Sequence, residues 1–128
     1  MFNRLRDFTL AASCAAAALA SALVPAAAQA QEQFVPLLVY RTGQFAPLGV
    51  PWADGKQDYL KLVNSRDGGV NGVKLAYEEC ETAYDTARGV ECYERLKTRG
   101  GGASGFDSQS TGITFAVSEK APGDKMPI

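Results

Sequence analysis

The chain has 128 residues, with 13 Lys+Arg against 14 Asp+Glu, three Cys and no His. That length bounds it to one domain. The missing His excludes a Ser-His-Asp or Cys-His nucleophile, a two-His zinc centre and an imidazole pH switch. A formal net charge of −1 argues against nucleic acid as a partner, because phosphates call for a basic face.

The apolar content is concentrated at the start. Arg4 and Arg6 precede an apolar, Ala-rich run from about Phe8 to Val24, and Pro25 breaks it. Ala28-Gln29-Ala30 then places small residues at −3 and −1 before the polar Gln31. This is the pattern of a secretory signal peptide, expected as a helix over residues 1–30 and cleaved after Ala30. An uncleaved anchor is the alternative; a run rich in Ala rather than Leu, ending in a cleavage site, weighs against it. A lipoprotein site at Cys14 fits less well, since the apolar run continues past it. Removing residues 1–30 leaves 128 − 30 = 98, with Cys80 and Cys92 as the remaining cysteines. Two Cys in an exported chain form a disulfide or stay as buried thiols, and the bridge is the expectation.

From there the elements follow in order. Phe34–Tyr40 (FVPLLVY) is a nearly continuous apolar run, the signature of a strand buried on both faces. Residues 41–51 carry the turn chemistry of Thr42-Gly43 and Pro47-Leu48-Gly49. A helix is predicted from Val50 or Pro51 to Ser65, with Trp52, Tyr59, Leu60, Leu62 and Val63 as its apolar face. Asp67-Gly68-Gly69 stops it and Asn71-Gly72 is a tight turn. Val73–Glu79 alternates apolar and polar, as a strand does. Asp85 caps a second helix running to about Lys97, with Ala87, Val90, Tyr93 and Leu96 inward. A short third strand is expected near Ala103–Phe106. Ser110 caps a third helix from Thr111 to about Lys120, with Ile113, Ala116 and Val117 inward. Met126-Pro127-Ile128 reads as the opening of another strand.

Strands alternating with helices predict an α/β fold, here a partial doubly wound parallel sheet. Such sheets bind ligands beyond the carboxyl ends of their strands. Those ends fall at residues 40–49, 78–84 and about 107–111.

Several segments carry a resemblance: YRTGQFAPLG (40–49), GKQDY (55–59), NSRDGGVNGVKL (64–75), YEECE (77–81) and STGIT (110–114). In this order, behind a signal peptide, they resemble the first lobe of a type I periplasmic solute-binding protein of ABC importers. The branched-chain amino acid (leucine/isoleucine/valine) receptors are the most similar group. The resemblance covers 34–128, so residues 31–128 are expected to be the N-terminal part of lobe 1, in a fragment whose second lobe is absent. It implies binding without catalysis and without a cofactor: a small-molecule ligand, an amino acid or analogue, held in the periplasm and delivered to an ABC permease in the inner membrane. It places Phe45 and Leu48 by the ligand side chain and Ser110 and Thr111 at its charged head. A helix N-terminus with hydroxyls suits a carboxylate on physical grounds as well, although without the resemblance a plain helix cap is the favoured account of Ser110. Two departures stand out. The segment before Ser110 is a poor strand, and Cys92 lies within the second helix, whereas the family's usual partner for a Cys at position 80 lies beyond it.

Glu78, Glu79 and Glu81 cluster at the end of the second strand, where a solvated strand end is the simplest account and acid–base chemistry or a Ca²⁺ site a remote one. The Gly100–Gly105 run follows a helix and lacks the Gly-Lys-Ser/Thr ending of a phosphate loop. Tyr77, Tyr84 and Tyr93 suggest a stacking platform as one reading, with core or half-buried strand and helix positions as the expectation. The alternative to a binding protein is a small exported α/β interaction or structural module without a transport role.

Overall fold

Two strands pair in parallel at the centre of the computed structural model, which describes residues 32–128. The signal peptide expected over 1–30 lies outside the described residues. β1 (Glu32–Val39) and β2 (Lys74–Glu81) run in register from Glu32 opposite Lys74 to Val39 opposite Glu81. In β1, Phe34, Leu37, Leu38 and Val39 are all buried. A strand with apolar residues on both faces needs cover on both, and the helices supply it.

α1 (Ala46–Arg66) covers one face, where Ala53 and Leu60 join Leu37 and Val39. α2 (Thr86–Leu96) and α3 (Thr111–Ser118) cover the other, where Tyr93, Leu96, Ile113 and Val117 enclose Phe34, Leu38 and Phe106. The result is the expected α/β architecture with a parallel sheet.

The third strand is reduced to one residue. Phe34 bridges Ala103 in parallel, and the Ser104 N–H donates to the Phe34 carbonyl at 3.0 Å. By strand alternation the Pro36 nitrogen faces the same side, and it carries no hydrogen to continue the ladder. Gly100, Gly101 and Gly102 all hold positive φ just upstream, which an extended strand does not. The expected strand at 126–128 does not form either. Its place is marked by a single bond from the Phe106 N–H to the Pro127 carbonyl, 2.7 Å.

α1 begins at Ala46, several residues before the expected start. Pro47 is tolerated in the first turn, where the missing N–H would be unpaired anyway, and Pro51 lies inside the helix. Its inward line is Gly49, Ala53, Leu60 and Val63. Trp52, Tyr59 and Leu62, expected inward, are 51%, 64% and 46% exposed. Gly49 explains the rotation. It packs against Tyr40 so closely that any Cβ would collide with the Tyr40 carbonyl and ring, and that contact fixes which face meets the sheet. At the far end Asn64 secures the edge strand: its amide accepts from the Leu75 N–H and donates to the Leu75 carbonyl, both at 2.8 Å.

α2 starts at the expected cap, with the Asp85 carboxylate accepting from the Arg88 N–H at 2.9 Å. Its buried face is Gly89, Cys92, Tyr93 and Leu96; Ala87 is exposed and Val90 half-buried. Gly89 lets α3 approach, since a Cβ there would meet the Ile113 side chain. In α3, Ile113 and Val117 are buried and Ala116 only half-buried. A disulfide joins Cys80 of β2 to Cys92 of α2, with Cα atoms 5.8 Å apart.

Candidate functional site

The loops that leave β1 and β2 meet at the carboxyl end of the sheet. The Tyr84 ring sits between two others: Tyr40 edge-on, with centroids 5.1 Å apart, and Phe45 tilted against it at 4.5 Å. Ala83 and Tyr84 both hold positive φ, 51° and 62°. Non-glycine residues seldom do so, and such strain concentrates where a loop has a task. Phe45 is the residue before α1 and is 38% exposed; Leu48, in the first turn, is 70% exposed. Both were expected in a loop, and the early start of α1 places them at a helix N-terminus instead.

Carboxylates at the end of β2 hold this arrangement. The Arg41 guanidinium donates to both Glu79 oxygens, from Nε at 2.9 Å and Nη2 at 2.6 Å, and from Nη1 to Asp54 at 2.7 Å. These hydrogen bonds, first the pair donated to Glu79, raise the pKa of Arg41, and the bond from Arg41 holds the Glu79 carboxyl below its ordinary value. Glu81 joins the two loops. Its Oε2 accepts from the Arg41 N–H at 2.8 Å, and its Oε1 from the Ala83 N–H at 2.8 Å and the Thr42 hydroxyl at 3.1 Å. Glu78 pairs with Arg95 and Arg99. The acidic cluster is therefore a set of ion pairs and loop ties, not the solvated strand end expected from sequence.

Ser110 and Thr111 begin α3, on the opposite face of the sheet from α1. Gly112 abuts α2: a Cβ there would stand 2.8 Å from the Thr86 hydroxyl, and Thr86 follows Tyr84 by two residues. Ser110 is buried and caps α3, accepting from the Ile113 N–H at 3.5 Å. Thr114 is spent locally, donating to the Ser110 carbonyl at 3.0 Å and meeting the buried Ser108 hydroxyl at 2.6 Å. Thr111 is exposed. Among the described residues no group accepts from the Thr111 or Gly112 N–H, so two donors at the positive end of a helix face outward. Gln109, just before, holds φ 56°.

Sequence reasoning weighed Tyr84 as a stacking group and Glu81 as an acidic cluster member but favoured plain structural roles for both, and it missed Ser108. Thr82 and Asp85 signal the turn that displays Tyr84, but nothing local announces that Glu81 reaches across to Arg41. A well-formed cavity lies elsewhere. It is an apolar groove of about 730 Å³ lined by Val35, Leu37, Trp52, Tyr59, Phe106 and Ile128, with none of Phe45, Leu48, Ser110 or Thr111 in its walls. It occupies the flank of β1 where pairing stops after Ala103. A site for a polar solute needs polar groups to spare; the groove also carries Ser104 and the Lys56–Asp107 ion pair, whose charges engage each other, whereas the carboxyl end offers the Thr111 and Gly112 N–H groups.

Residues 32–128 match the periplasmic binding protein family. The chain belongs to that family. Two solved structures are similar to it. One, from the Pseudomonas fluorescens group and described as an ABC transporter permease, is 41% identical with a TM-score of 0.73 over 76% of this chain. The other, a fatty acid ABC transporter substrate-binding protein from Thermomonospora curvata, is 26% identical with a TM-score of 0.65 over 75% of this chain. The chain spans 24% of the length of each. No curated protein matches it.

Proposed function

We propose that this chain belongs to the substrate-binding component of an ABC importer and binds an amino acid or related small polar solute. Family membership over 32–128 carries the proposal. The site lies where an open α/β sheet binds ligands, beyond the carboxyl ends of its strands. The Thr111 and Gly112 N–H groups, with the hydroxyls of Ser110 and Thr111, meet the carboxylate of the solute. Phe45 and Leu48 meet its side group. The protein acts in the periplasm after loss of its signal peptide, without a cofactor or a reaction of its own. Its second partner is an inner-membrane permease that reads closure around the solute. The branched-chain specificity suggested by the sequence resemblance is the finer part of the proposal.

A solute that binds only the folded state raises the melting temperature by mass action. Thermal unfolding of the intact chain with a panel of amino acids, amides and small carboxylates is the test. A concentration-dependent rise with at least one of them is expected. No rise with any of them speaks for the interaction module instead.

A further inference from the structure

The solute-binding role proposed above is the premise here, and the inference names the class of solute. The surface that the first two loops present is built from rings. Phe45 leans on Tyr84 and Tyr84 on Tyr40, with more than a third of Phe45 left open to solvent. The ionic groups that hold these loops are already engaged: Arg41 with Glu79 and Asp54, and both oxygens of Glu81 with donors from the two loops. Asp85, next to Tyr84, turns one oxygen back onto the Arg88 N–H of α2. A charged side group placed on Phe45 and Tyr84 would lose water and meet no free counter-charge from Arg41 or Glu81. A flat apolar group would gain burial and, if aromatic, the added attraction of offset or edge-to-face ring packing.

We infer that the solute carries an aromatic side group seated against Phe45 and Tyr84, and that Tyr84 is the residue that sets this preference. The chemistry is an aryl group beside a carboxylate, supplied either by an aromatic amino acid or by an arylalkanoic acid. Glu81 keeps Tyr84 in place by tying Ala83 to Arg41 and Thr42.

Calorimetric titration of the intact chain with L-phenylalanine, phenylacetate, L-leucine and L-glutamate tests this. One or both aryl compounds are expected to bind about threefold to tenfold more tightly than L-leucine, with L-glutamate weakest. Equal affinity for the two aryl compounds means that the ammonium group is not read; a preference for L-phenylalanine means that it is. Tyr84→Leu is expected to remove the advantage over L-leucine, and Tyr84→Phe to restore it. L-leucine binding as tightly as both aryl compounds overturns the inference and leaves solute binding standing. So does an aryl advantage that survives Tyr84→Leu. Failure of all four compounds, and of the wider panel above, overturns both.

Discussion

The Arg41 guanidinium lies against Glu79 with two parallel hydrogen bonds, 2.9 and 2.6 Å long. It ties the end of β1 to the end of β2 at the level where the site begins. Both side chains are less than a third exposed. A forked pair of this kind is stronger than an exposed ion pair. Arg41→Ala is expected to cost about 1–2 kcal/mol in urea unfolding at neutral pH, and Arg41→Lys to recover only part of it, since an ammonium cannot make the fork. Equal stability of Arg41→Ala and the parent would show that the pair contributes nothing.

The same pair sets an acid dependence. The pKa of Glu79 is lowered, first by the bond from Arg41. Its contribution is therefore present above the ordinary glutamate value of about 4.3 and is lost as pH falls through the lower folded value. Between pH 6 and 3 the parent should lose stability more steeply than Glu79→Gln. Parallel curves for the two would contradict the assignment.

Tyr93 gives the opposite sign at the alkaline end. It is fully buried and donates to Asp124 at 2.8 Å. Burial first, and then the Asp124 hydrogen bond, push its phenol up to about 12. A raised folded value means stability that is complete below about pH 10 and declines as pH rises towards 12. Unfolding followed from pH 9 to 11.5 should fall off less in Tyr93→Phe than in the parent. An unchanged slope would show that Tyr93 is not the group responsible.

The disulfide between Cys80 and Cys92 spans 12 positions of sequence. Closing a loop of that size is worth about 2–3 kcal/mol in the chain-entropy account. Reduction, or Cys92→Ser, should lower the unfolding free energy measured in urea by about that amount, moving the midpoint down without a second transition. A midpoint indifferent to reductant would mean that the bridge is absent from the protein in solution.

Gly89 is the clearest case of a residue whose role lies in its neighbour. Alanine would favour the helix itself by up to about 1 kcal/mol, yet its Cβ would strike Ile113. Gly89→Ala should destabilise by about 1–3 kcal/mol. Ile113→Val should lessen that cost, because the two sites share one contact. Independent effects would argue that α2 and α3 do not pack here.

The sequence was most legible where local rules act alone. The apolar run of β1, the Asp85 and Ser110 caps and the Asn71-Gly72 turn were all visible as patterns. The start of α1 was not, because the turn signals of Thr42-Gly43 and Pro47-Leu48-Gly49 concealed a helix that tolerates Pro47 in its first turn. Its inward face was misassigned because the Gly49–Tyr40 contact, not average hydrophobicity, sets its rotation. The third strand failed on the nitrogen of Pro36, a residue some seventy positions away from Ala103. At the site, the positions of Ser110 and Thr111 followed from a cap and a resemblance. The Glu81 tie and the Tyr84 ring depend on contacts between separate loops, which no local pattern records.

The proposed role has a solute bound at the carboxyl end of the sheet, against the α3 N-terminus. Amide NMR of the intact chain, titrated with L-phenylalanine, tests it most directly. Saturable shifts are expected at Thr111 and Gly112, together with Phe45 and Tyr84. Shifts confined to the groove around Trp52 and Tyr59, with Thr111 and Gly112 unmoved, would contradict it.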